Sequence, residues 1–140
     1  MADLTVTAAN VSLQDGKIGH GTAGATITAG RALYRDAADG NKLKLANADT
    51  AGTATVAGIA LNSASSGQPV AYVTGGIYNA GATVAVGTVY VLSDAAAGGI
   101  APVSDFATGS DGSTVSVIGV GVTSGRIDVS IHNSGAVIPA

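Results

Sequence analysis

Ala80-Gly81-Ala82-Thr83-Val84-Ala85-Val86-Gly87 is written twice in this chain, because Ala23 to Gly30 reads Ala-Gly-Ala-Thr-Ile-Thr-Ala-Gly. Five of the eight positions are identical, and Ile27 against Val84 exchanges one β-branched residue for another. Small residues, a closing glycine and one β-branched residue predict a turn that leads into a short strand and out again. The segments downstream of the two copies also run in parallel. Asp36-Ala37-Ala38 answers Asp94-Ala95-Ala96, Gly40 answers Gly98, and Asp49 answers Asp105. Gly58 answers Gly119, Pro69 to Thr74 aligns with Ile127 to His132, and Gly76 aligns with Gly135. The preserved order predicts duplicated β units over 23–76 and 80–135, inside a single β domain of 23–135. Residues 1–22 are then an N-terminal arm or strand, and 136–140 a C-terminal tail.

Composition supports an all-β reading. The 140 residues include 21 Gly, no Glu and only six Lys and Arg, whereas helix surfaces are usually filled with Glu, Lys, Arg and Gln. Arg126 to His132 alternates, with Ile127, Val129 and Ile131 on one side and charged or polar residues on the other, the pattern of a half-buried antiparallel strand. Leu43 and Leu45 alternate with Lys42 and Lys44 in the same way. Residues 3 to 13 alternate as well, Asp15-Gly16 signals a turn, and Gly19 to Gly24 reads as a loop. Val115 to Val122 is nearly continuous in apolar residues and glycine, so it is either buried on both faces or bulged at Gly119 and Gly121. Short strands spaced by turns predict a compact antiparallel sandwich or small barrel. With four Tyr, one Phe and no Trp, its core is thin, and an oligomer or a larger docking surface would stabilise it.

The net charge of −3 lacks the clustered basic face that nucleic acid requires. No Cys is present, so disulfides, a thiol nucleophile and Cys-based metal sites are excluded. The first residues do not form a signal peptide, and no apolar run reaches the roughly 18 to 20 residues of a membrane helix. A soluble protein made in a cytoplasm is expected, with no membrane or nucleic-acid partner.

Candidate chemistry is sparse. Gly19-His20-Gly21-Thr22-Ala23-Gly24 matches a dinucleotide fingerprint, but a strand pattern comes next where a helix should open. His20 and His132 are the only histidines, and no spacing joins either to a nucleophile and a carboxylate. Asp36, Asp39, Asp49, Asp94, Asp105 and Asp111 fall at turns, where Asp caps the backbone, and the closing Glu of a calcium loop is missing. Asn10-Val11-Ser12 is a glycosylation sequon without a secretory signal. No catalytic set, cofactor or metal is expected, and the chain is read as a non-enzyme.

Gly67 to Gly76 (GQPVAYVTGG) and Val89 to Asp105 (VYVLSDAAAGGIAPVSD) carry a resemblance to the capsid cement, or decoration, proteins of tailed phages and prophages. It covers about residues 53 to 133. The resemblance implies a jelly-roll-like β fold that binds the outside of an HK97-like icosahedral shell and bridges neighbouring capsomers. The partner it implies is the major capsid protein, the site is the virion exterior, and the state is a homo-oligomer, a dimer ahead of a trimer. It carries no catalytic or cofactor residues. Arg31, Arg35, Lys42 and Lys44 are candidate contacts to an acidic shell, and the alternative is that they pair with Asp36 and Asp39. The apolar tail, with Val137 and Ile138, either frays or packs on a neighbour. A receptor- or glycan-binding knob of a phage fibre is the competing function, and a small glycan hydrolase the third.

Overall fold

A computed structural model describes residues 3–107 and 112–137. The chain is all-β. Nine strands run in order: β1 (Val11–Thr22), β2 (Ala32–Asp36), β3 (Lys42–Leu45), β4 (Gly58–Ala60), β5 (Pro69–Ala80), β6 (Val89–Leu92), β7 (Ile100–Pro102), β8 (Thr114–Thr123) and β9 (Arg126–Val137). All their ladders are antiparallel. They make one curled, half-barrel sheet in the order β3-β2-β4-β5-β9-β8-β6-β7, with β1 on β5. The curl brings the end of β1 to β3, where the Gly24 N–H donates to the Leu43 carbonyl at 2.8 Å.

β5 is the strand on which the sheet turns. Along one edge it pairs with β1 from end to end. On the other edge it pairs with β4 through Tyr72 and Val73, then with β9 from Gly75 to Asn79. The change of partner falls at Thr74, just before Gly75-Gly76, where Gly16 of β1 lies opposite Gly76. A Cβ on Gly16 would sit 2.1 Å from the Gly75 carbonyl oxygen, and one on Gly76 would sit 2.4 Å from the Gly16 Cα. Two strands cross too closely here for any side chain. Asp15-Gly16 is therefore a mid-strand corner and not the turn its dipeptide predicts, with register shifts on either side of it.

The expected loop at Gly19 to Gly24 is also corrected, since Gly19 to Thr22 belong to β1. Its glycines make room for neighbours. A Cβ on Gly19 would meet the Tyr72 ring at 2.5 Å, and one on Gly21 would meet Leu43 at 2.6 Å. The fingerprint thus ends a strand with no helix after it, and the context for a pyrophosphate is missing.

The core lies on both faces of the central strands. Successive residues of β2 and β4 point to opposite clusters: Ala32 and Ile59 to the larger, Leu33 and Ala60 to the smaller. Tyr78, Tyr90, Leu92, Ile100, Ile118 and Ile127 fill the larger, and Ile27, Leu43, Val70 and Tyr72 the smaller. Among the described residues, ten of the 28 buried apolar residues are alanine, and each of those contributes less than the roughly 1.5 to 3 kcal/mol of a buried large aliphatic. The core is thin, as the composition implies.

Of the two forms expected for the N-terminal segment, arm or strand, residues 3 to 10 take the arm and Val11 begins a strand. The arm runs extended to a single 3-10 turn at Ala8–Asn10, with Leu4 and Val6 packed on the larger cluster. The Leu4 N–H donates to the Ile100 carbonyl at 2.7 Å and so covers the β7 edge.

Neither copy of the repeated octapeptide is a strand, because each is tied down by bonds to other segments and not by a ladder. The ties match. The Ala23 and Ala80 N–H groups donate to Gln68 and Gly125, the residues just before β5 and β9. The Gly30 and Gly87 N–H groups donate to Ala60 and Gly121. Leu33 opposes Gly58 as Tyr90 opposes Gly119. The two halves differ in their longer pairings: β4 meets β5 over two residues, whereas β8 and β9 pair along most of their length.

Past Ser130, β9 leaves β5, and the Asn133 amide takes over. Its Oδ1 accepts from the Val56 N–H at 2.8 Å and its Nδ2 donates to the Val56 carbonyl at 3.1 Å. Val56 is buried, so Asn133→Ala strands both of its backbone groups. The expected cost is about 2 kcal/mol, read from urea midpoints.

Candidate functional site

The β2–β3 hairpin gathers three of the predicted contact residues. Leu33 to Asp36 pair with Lys42 to Leu45, which places Arg35, Lys42 and Lys44 on neighbouring strands. Lys44 Nζ lies 2.7 Å from Asp36 and 3.2 Å from Asp39, and Lys42 lies 3.8 Å from Asp39. Two ammonium groups thus meet two carboxylates, and the hairpin offers little net charge. Arg35 lies 5.5 Å from the centroid of the Tyr72 ring and donates to its hydroxyl. Arg31 precedes the same strand and packs its stem by Gly98. Val137 ends β9, opposite Thr114, and is 55% exposed. Ile138 lies outside the described residues.

The hydrogen bond from Lys44 holds the Asp36 carboxyl below its usual range, helped by the Ala38 N–H and opposed by burial. The same contacts, to Asp36 and then Asp39, raise Lys44 above the usual lysine value. Lys44 therefore stays an ammonium beside the two carboxylates. Because the folded Asp36 value is depressed, its contribution is present above the ordinary carboxylate range and is lost as pH falls through the folded value. Because the Lys44 value is raised, its contribution is present below the ordinary lysine range and is lost as pH climbs through the raised value. The pair holds across neutral pH. Lys44→Met is expected to flatten the fall in urea midpoint between about pH 4 and pH 2, where carboxylates protonate.

A second surface lies outside the predicted contacts. Val120 and Val122 stand on the solvent side of β8, 39% and 37% exposed, and Val86 in the neighbouring turn is 67% exposed. Two hydrogen bonds hold the two backbone segments side by side: Gly87 N–H to Gly121 O at 2.8 Å and Gly121 N–H to Thr88 O at 2.9 Å. Val115 to Val122 follows the bulged alternative, with register shifts at 114/116, 117/119 and 121/123. Past Gly119 the alternation turns Val120 and Val122 outward. The continuous apolar run hides this face, and the two glycines are its only signal in the sequence.

A polar groove runs where the N-terminal arm meets the second octapeptide, lined by Thr5, Thr7, Asn10, Asn79 and Thr83 among others. Beside it, Asn79 donates to Ser12 Oγ at 2.8 Å and accepts from Arg126 Nε at 3.0 Å. His20 of β1 opposes Ala71, whereas His132 of β9 opposes Val117, so the two histidines lie on different ladders. No group of three or more His, Asp or Glu able to hold a metal is found among the described residues. No helix of the described residues is long and apolar enough to cross a membrane.

The sequence matches no protein-family model and no curated protein.

Proposed function

We propose that this chain is a structural virion protein that binds the outer surface of an HK97-like phage capsid and stabilises it by bridging capsomers. The observation that carries this reading is the valine face around Gly121. Val86, Val120 and Val122 are exposed apolar residues on segments whose backbones are bonded side by side, and in this reading they make one patch, the kind of surface that marks a protein contact. The resemblance of Gly67 to Gly76 and Val89 to Asp105 to cement proteins points to the same partner. The thin alanine-rich core suits a protein that gains stability from what it binds. In this reading the valines make the centre of the contact. Repeated weak contacts act together because the lattice presents them at high effective concentration. The matched bonds of the two octapeptides support a duplicated scaffold within it.

Purified protein mixed with undecorated mature shells of the phage that encodes it is expected to bind at a fixed number per capsomer. It is also expected to raise the temperature at which the shells rupture. Val86, Val120 and Val122 changed together to Thr keep the β-branched shape, and binding is expected to fall at least about tenfold. Shells that take up no protein and rupture at the same temperature contradict the reading.

The polar groove favours a second reading, a glycan-binding knob of a phage fibre. Its hydroxyls and amides suit a sugar, and binding to host surface glycans with no affinity for shells would select it.

A further inference from the structure

The outer edge of β1 gives an inference that does not depend on the capsid reading. β1 runs for 12 residues, and among the described residues its only ladder is to β5. At its ends the strand is engaged, by the Val11 N–H to the Ala8 carbonyl and by the bridge of Ala23 to Leu43, but from Ser12 to Gly21 it has no second ladder or bridge among the described residues. A strand this long with one bare edge is a template for another strand.

The side chains on that edge say which strand fits. Asp15 and Lys17 flank Gly16, both are exposed, and neither makes an ion pair among the described residues. One lies a single residue before the two-fold point and the other a single residue after it. We propose that two copies of this chain pair antiparallel through β1, about a two-fold axis at Gly16. In that register Asp15 of each copy lies opposite Lys17 of the other, and Gln14 lies opposite Ile18, whose side chain is left 45% exposed in the single chain. Opposite charges facing each other across an antiparallel pair stabilise it, and the symmetry supplies the pair twice. A strand from an unrelated chain has no reason to carry both charges in that order.

The register shifts beside this segment, at Leu13/Asp15 and at Lys17/Ile18, set the limits of the contact. They confine regular pairing to a short central run, so the contact is small and the association weak. The two-fold uses the same central run in both copies, so this contact closes on itself as a dimer.

Sedimentation velocity of the full chain at low salt tests this. The wild type is expected to pass from monomer to dimer as concentration rises, and added salt is expected to weaken the dimer. Lys17→Asp sets Asp opposite Asp at both positions and weakens association by about tenfold or more. Asp15→Lys does the same with lysines. The double variant D15K/K17D restores opposite charges in the same register and recovers the dimer, which a merely structural role for either residue would not produce. Circular dichroism of each variant separates lost pairing from lost folding. A wild type that stays monomeric up to about 100 μM overturns the proposal, as does a K17D variant that dimerises like the wild type, or a charge-swapped double that does not recover. Shell binding reads a different surface, so its failure leaves this result standing.

Discussion

Gly76→Ala is expected to destabilise the protein by at least about 3 kcal/mol, a large share of what a domain this size has. Gly76 sits at φ 101°, a conformation that L side chains rarely adopt. Its Cβ would also meet the Asp15 carbonyl oxygen at 2.3 Å and the Gly16 Cα at 2.4 Å. Both obstacles are backbone, so no rotamer change relieves them. Yielding there means separating β1 from β5 at the corner where β5 passes from β4 to β9. Gly52→Ala is the control: it has open space around its Cα and no positive φ, and is expected to be neutral or slightly stabilising. Urea unfolding of the two variants checks the contrast, and equal midpoints would contradict the corner.

Tyr90→Ala is expected to cost about 4 kcal/mol, and Tyr90→Phe only about 1 kcal/mol. The ring is 2% exposed in the larger cluster and lies opposite Gly119, whose missing side chain allows β8 to run close to β9. Its hydroxyl accepts from the Ala85 N–H at 2.8 Å and so ties the second octapeptide to the core. Removing the ring leaves a cavity where few large side chains remain to fill it. Removing the hydroxyl frees an N–H on an exposed residue that water satisfies. Similar losses for both variants would mean that the hydrogen bond, and not the packing, holds this segment.

Strand alternation is legible wherever one face is buried and the other wet. Arg126 to Ile131 and Lys42 to Leu45 both fold that way, with Ile127, Val129 and Leu43 buried. The glycines are harder to interpret. Gly16, Gly19, Gly21 and Gly76 look like punctuation in the sequence, but they sit inside strands, because a tyrosine ring, a leucine or a crossing backbone occupies their Cβ positions. Such needs are set by residues distant in the chain, which a local pattern does not register. The repeated octapeptide is legible as a recurring element but not as to its form. Its backbone bonds go to Gln68, Ala64 and Ala60 in one copy and to Gly125, Ser124 and Gly121 in the other.

The candidate contacts divide in the same way. The charged residues of the hairpin can be named from sequence, together with the Asp residues that neutralise them. Which Lys meets which Asp needs the register of β2 on β3. The valine face cannot be named so, because burial on both faces and a bulge at Gly119 produce the same string of letters. Asn133 gives no signal at all, since an amide on the polar side of a strand does not reveal that it will serve as the partner of a distant backbone.

The proposed role of this chain is to cover a capsid. Its copy number in purified virions, measured by quantitative mass spectrometry against the major capsid protein, tests that most directly. A cement protein is expected in the hundreds per particle, in fixed ratio to the capsomers. A handful of copies, in ratio to the fibres instead, would contradict it.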